Sequence, residues 1–231
     1  MSYDQSLDDE YYKVNGDLTI ALASKAKEEG VKQFIFLSSM IVYGESKKHN
    51  QAITNQTPLQ PSNAYAKSKL DAENKLKELE SSEFKVCILR LPMIYGPNAK
   101  GNYAKLSSMA LKIPIFLKTS NQRSMLSIDN LMKMIEFIIL KEKKGLYFPQ
   151  NKEFVNTSTL FKTIREIHGK KTLLIPWTGW LQHLLMFIHP MFRKLFGSQY
   201  YDRELSQDFN DLNLDSFKTT LLRSEGFDVK R

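Results

Sequence analysis

The chain has 231 residues, enough for one sizeable core or one core with a small appended lobe, and it is 42% hydrophobic and 25% charged, as ordinary globular proteins are. One cysteine, Cys87, excludes an internal disulfide, and no apolar run reaches the length of a membrane-spanning helix. The formal charge of +8 comes from lysines and arginines scattered along helix-like segments, which points to solvated surface charge or an anionic small ligand and away from nucleic acid.

The first dozen residues, MSYDQSLDDEYY, are acidic and polar and do not read as a signal peptide. From about Tyr12 to Glu29, Val14, Leu18, Ala21 and Leu22 fall on one face, which predicts a helix stopped by Gly30. The run Phe34-Ile35-Phe36-Leu37 is short and apolar, as in a strand buried on both faces. A polar loop with prolines fills 44–61. A helix is expected over 62–79, with Ser62 or Asn63 as its N-cap. FKVCILRLP then reads as a second buried strand ended by Pro92. Helix, strand, helix, strand over the first hundred residues predicts an α/β fold with a parallel sheet and helices packed on its faces. Further helices are expected near 102–112, 129–142 and 158–168, with a short strand at GLYFP. The aromatic segment at 177–197 suits a helix hairpin of an appended lobe, broken at Pro190, or an amphipathic helix lying on a membrane surface. His183 and His189 in that segment have no Cys, Asp or Glu at metal-ligand spacing, so no metal site is expected.

Chemistry enters with NAYAKSK. Tyr65 and Lys69 are four apart on the expected helix and share a face. A free tyrosine has a pKa of about 10, so it serves as a base near neutral pH only where a nearby cation favours the phenolate. A lysine one turn away is such a cation. Tyr43 and Lys47 have the same spacing, but Gly44 lies between them in an expected loop. Ser38 and Ser39 end the first buried strand at its carboxyl end, where open α/β sheets place ligands. None of the ten glycines forms the G-x-G-x-x-G turn that usually holds a dinucleotide in such sheets.

Taken in order, YYKVNGDLTIALASKAKEEGVKQ, FIFLSSMIVYG, NAYAKSKLDAE, LRLPMIYGP and NQRSMLSIDNL resemble successive signatures of the extended short-chain dehydrogenase/reductase family, over about residues 10 to 170. The nucleotide-sugar epimerases and dehydratases of that family are the nearest match. NQRSMLSIDNL with GLYFPQNKEFVNTS is similar to bacterial capsule and exopolysaccharide epimerases of the UDP-glucose 4-epimerase type. The resemblance implies a partial Rossmann-type, doubly wound parallel sheet with a small carboxyl-terminal α/β substrate lobe. Residues 1–112 would be the catalytic part of the NAD-binding domain. Residues 113–231 would hold the substrate lobe, returning sheet elements and terminal helices. It implies NAD as cofactor and a UDP-sugar as substrate. Tyr65 would be the catalytic acid/base, and Lys69 would lower its pKa and bind the nicotinamide ribose. Ser39 would hydrogen-bond the sugar oxygen. Asn15, Ser38 and Pro92 would belong to the cofactor site, Met93 and Arg123 to the substrate site, with Arg123 on the diphosphate. The favoured reaction is 4-epimerisation of a UDP-hexose or UDP-N-acetylhexosamine. A 4,6-dehydratase or 4-reductase is the alternative, and Met40 and Ile41 stand where the dehydratases carry Asp-Glu. A further alternative is a catalytically inactive fragment. The sequence lacks the family's opening glycine-rich segment and reads as the carboxyl-terminal portion of a longer enzyme. Met93 stands where many sugar epimerases have Asn. A cytoplasmic location, a homodimer and a weak membrane-surface contact through 177–197 complete the expectations.

Overall fold

The computed structural model describes residues 8–44, 51–176 and 196–227. It opens on an unbroken helical segment made of a short turn α1 (Asp8–Tyr11), a π-helical stretch (Tyr12–Leu18) and helix α2 (Thr19–Glu28). The wider π turn explains why the expected apolar stripe does not face the core. A period of 3.6 fails where hydrogen bonds run from i to i+5, and Val14, Leu18 and Leu22 are about half exposed. Small residues, Gly16 and Ala23, are the buried ones instead, and they let this segment lie close against the next helix.

Strand β1 (Gln33–Ser39) runs into a 3-10 turn (Met40–Tyr43), and after the loop comes helix α3 (Ala64–Leu79). Asn63 caps α3, its side-chain oxygen accepting from the Ala66 backbone N–H at 2.8 Å. Gly44 closes the 3-10 turn at φ 78°, and a Cβ there would stand 2.5 Å from the Gln60 carbonyl oxygen, so the close crossing of the loop requires glycine. Strand β2 (Lys85–Leu91) pairs parallel with β1 from Gln33↔Lys85 to Ser39↔Leu91.

After β2 the elements shorten. They are β3 (Met93–Tyr95), α4 (Asn102–Lys112), β4 (Ile115–Leu117), β5 (Met125–Ser127), α5 (Ile128–Leu140), β6 (Gly145–Tyr147), α6 (Thr157–Ile167), β7 (Leu173–Ile175), a 3-10 helix (Arg203–Phe209) and α7 (Phe217–Ser224). The strands form parallel sets β1-β2-β6, β3-β5 and β4-β7. The α/β class and the helices near 102–112, 129–142 and 158–168 match the sequence reading. The three-residue strands β3, β4, β5 and β7 were not expected, because so few residues carry no period.

Strand β2 lies between β1 and β6 and is buried from Val86 to Leu91. Strand β1 departs from the expectation of two covered faces. Among the described residues it pairs with β2 alone, and Leu37 is 41% exposed.

One core joins α2, β1, α3 and β2 through Ala23, Phe36, Ala72, Leu76, Phe84 and Ile88. A second joins β2, β5 and α5 through Leu89, Leu126, Met134 and Ile138, so α5 and β6 return to the first sheet. A third holds Tyr103 and Ala110 of α4 with Phe116 and with Phe161 of α6, so packing crosses the division at residue 112. Most of 177–197, with His183 and His189, lies outside the described residues, as does Lys47. Among the described residues no helix is long and apolar enough to cross a membrane.

Candidate active site at the carboxyl end of β1

Three of the expected side chains meet where β1 ends. Ser39 leaves the strand extended and caps the 3-10 turn, its hydroxyl accepting from the Ile41 backbone N–H at 3.3 Å. The same residue lies near enough to Tyr65 to oppose the rise in its hydroxyl pKa. Tyr65 and Lys69 stand one turn apart on α3, as their spacing requires. The Tyr11 ring meets the Tyr65 ring edge-on, with centroids 5.4 Å apart. Lys69 donates from Nζ to the Leu37 carbonyl at 3.0 Å and lies 4.6 Å over the Phe36 ring.

The electrostatics of the pair differ from the expectation in one respect. Burial raises the Tyr65 hydroxyl above its ordinary pKa, Ser39 opposes this, and nearby Tyr11 adds to the rise. Lys69 is not among the groups that move Tyr65. The group that favours the phenolate in this arrangement is Ser39, because the Lys69 ammonium is turned onto Leu37. Lys69 itself is pushed down to about 8 by burial, with the Glu73 carboxylate opposing. Both side chains are half-buried, so charge interactions there are stronger than in bulk water.

The remaining expected residues fall at graded distances from this centre. Asn15, in the π-helical stretch, donates to the Ser68 hydroxyl at 3.2 Å, and Ser68 donates to the Tyr65 carbonyl at 3.0 Å. Its visible hydrogen bond thus fastens α3 beneath Tyr65. Ser38 points to the opposite side of the strand from Ser39. It is 3% exposed and donates to Glu73 Oε1 at 2.5 Å, so its hydroxyl faces the protein interior where the sequence placed it in a cofactor site. Pro92 follows Leu91, the register partner of Ser39, so Pro92 and Met93 begin beside the end of β1. Pro92 is buried and Met93 half-buried. Met93 pairs with Met125 in β3-β5. Arg123, two residues before Met125, is held by backbone bridges to Val155 and Gln199, and burial lowers its guanidinium to about 10. Arg123 thus sits on the segment that leads into β5.

Tyr43, of the competing pair, is removed from the site. It is buried and its hydroxyl accepts from Arg90 Nη1 at 2.7 Å. Arg90 with Glu73 is the feature that sequence reading missed. Arg90 sits in an apolar strand and Glu73 on an ordinary-looking helix face. The available signal was the spacing, since Glu73 repeats the step of four from Tyr65 through Lys69.

The sequence profile of the NAD dependent epimerase/dehydratase family matches residues 2–148. Among curated proteins, the chain is 32% identical over 193 residues to UDP-glucose 4-epimerase of Vibrio cholerae, covering 81% of this chain and 57% of that protein. It is 31% identical over 168 residues to N-acetyl-alpha-D-glucosaminyl-diphospho-ditrans,octacis-undecaprenol 4-epimerase of Escherichia coli O157:H7, covering 70% of this chain and 50% of that one. The chain therefore spans about half the length of these curated relatives. Among solved structures, UDP-N-acetylglucosamine 4-epimerase from Bacillus cereus superposes with a TM-score of 0.74 at 18% identity, over 97% of this chain and 75% of that one. This likeness concerns the fold.

Proposed function

Because the chain belongs to the NAD dependent epimerase/dehydratase family, we propose that the site at the end of β1 serves the NAD-dependent 4-epimerisation of a hexose carried on a nucleoside diphosphate. The observation that carries this reading is the meeting of Ser39, Tyr65 and Lys69 at the carboxyl end of a parallel strand. Tyr65 would take the proton of the sugar C4 hydroxyl when that carbon is oxidised, with NAD as the hydride acceptor, and would return the proton when the carbonyl is reduced from its other face. Ser39 orders the sugar oxygen and steadies the phenolate. Lys69 holds a positive charge one turn away and offers its N–H groups to a ribose. NAD, when bound, supplies the hydride acceptor and donor. The residues described fit its nicotinamide end: a half-buried lysine ammonium, a tyrosine hydroxyl and a serine hydroxyl lie at a strand end, beside buried Pro92. Arg123 suits a diphosphate, since its planar guanidinium matches phosphate oxygens. The curated relatives' names support a sugar on a diphosphate carrier, UDP in one and diphospho-undecaprenol in the other. We place the reaction in the cytoplasm, in the supply of polysaccharide precursors.

The direct test is interconversion of UDP-galactose and UDP-glucose, and of their N-acetyl forms, by the purified chain with added NAD. Turnover of either pair supports the reading. Conversion to a 4-keto-6-deoxy sugar would replace epimerisation by dehydration. The pH profile adds a signed expectation. Lys69 is lowered to about 8, so its positive charge is present at neutral pH and is lost as pH rises through 8. We expect kcat to fall on that alkaline side, and a profile that keeps rising well above pH 8 would remove Lys69 from the mechanism.

A further inference from the structure

Glu73 and Arg90 form a buried ion pair directly behind the Tyr65/Lys69 face. The Glu73 side chain is fully buried and that of Arg90 is 5% exposed. Arg90 donates from Nε to both carboxylate oxygens at 3.1 and 3.2 Å and from Nη2 to Oε2 at 2.7 Å. Ser38 of β1 adds its hydroxyl to Oε1 at 2.5 Å. The arginine is anchored in turn. Its Nη1 reaches the Tyr43 hydroxyl at 2.7 Å, and its backbone carbonyl accepts from the Tyr201 hydroxyl at 2.8 Å. One carboxylate thus ties α3 to β1 and to β2, and through Arg90 to the 3-10 turn and to Tyr201.

A pair of this kind is a poor device for stability alone. Desolvating two charges costs several kcal/mol per ion, and well-packed apolar replacements are often neutral or better. Its position supplies another reason. Glu73 follows Lys69 by four on α3, so both project from one face. On its own helix Lys69 stands one turn after Tyr65 and one turn before Glu73, and of the charged groups it is Glu73 that favours its ammonium. From β1 Lys69 meets only the Leu37 carbonyl and the Phe36 ring.

We propose that Glu73 is a positioning residue of the Tyr65/Lys69 site: pinned by Arg90 and Ser38 one helical turn beyond Lys69, its carboxylate supports the positive charge of the Lys69 ammonium from inside the protein. Arg90 fixes the direction of the carboxylate through both of its oxygens. Ser38 belongs to the same support, which accounts for its inward-facing hydroxyl. The inference deepens the catalytic reading, which needs Lys69 charged.

The test reads Lys69 without NAD or substrate, so it stands apart from whether the chain turns over a sugar. The rate of acetylation of Lys69 by acetic anhydride is followed by peptide mass spectrometry from neutral to alkaline pH. The wild-type midpoint is expected near 8, where Glu73 supports a charge that burial opposes. In Glu73→Gln the midpoint is expected to fall by about one pH unit. Because that variant leaves Arg90 buried without its counter-charge, the double variant Glu73→Gln/Arg90→Gln is measured beside it, and its midpoint decides. A fall in the double variant supports the positioning role. An unchanged midpoint there overturns it and leaves the pair a structural tie between helix and sheet, whatever the single variant does.

Discussion

Tyr65→Phe is expected to lower kcat by about 10²–10⁴ while leaving KM and NAD affinity nearly unchanged, the size of effect general acid–base groups have. The substitution removes one oxygen from a ring that keeps its edge contact with Tyr11 and its place on α3. No buried partner is stranded, because the Ser39 hydroxyl still accepts from the Ile41 N–H. The fold should therefore survive, and steady-state kinetics beside near-ultraviolet circular dichroism separate lost chemistry from lost structure. A drop in kcat without a change in KM marks an interaction made in the transition state. Equal activity in Tyr65→Phe would mean that another group moves the proton.

Arg90→Met is expected to be the most damaging substitution for stability, by about 3–5 kcal/mol, because it leaves Glu73 as an uncompensated buried charge. For a chain of this size that corresponds to a fall of roughly 10 °C in the unfolding midpoint. The Ser38 and Arg90 donors now satisfy both oxygens of a carboxylate with no exposure, and Ser38 alone cannot replace a bidentate guanidinium. The companion variant Glu73→Leu/Arg90→Met removes both charges and is expected to recover most of the loss, the pattern seen where apolar groups replace a buried pair. Thermal unfolding of the three proteins checks this. A single variant as stable as the wild type would show that Glu73 is not left as an uncompensated buried charge.

What could be read in advance divides along physical lines. Tyr65, Lys69 and Ser39 were legible because a helical step of four and a strand end each place side chains by local geometry. The long elements, α3 and β2, were legible because sixteen and seven residues are enough to show a pattern. The direction of the first helix's face was not, since the π turn from Tyr12 to Leu18 breaks the period on which the stripe of Val14, Leu18 and Leu22 was drawn. The support behind Lys69 was hidden for a different reason. Glu73 and Arg90 meet only once α3 packs on the β1-β2 pair, and nothing in either local sequence names the partner. Ser38 and Ser39 are adjacent and chemically identical, yet the strand turns one toward Glu73 and the other toward Tyr65. The division of their roles becomes visible only with the sheet in place.

The central claim is that the carboxyl end of β1 is a nicotinamide-ribose and sugar site built on Lys69 and Tyr65. It is tested most directly by titrating NAD into the purified chain and into its Lys69→Met variant by calorimetry. Loss of a charged hydrogen bond costs about 1.5–3 kcal/mol, so binding by the wild type and at least tenfold weaker binding by Lys69→Met is the expected result. Equal affinity for both proteins, or no binding to either, would contradict it.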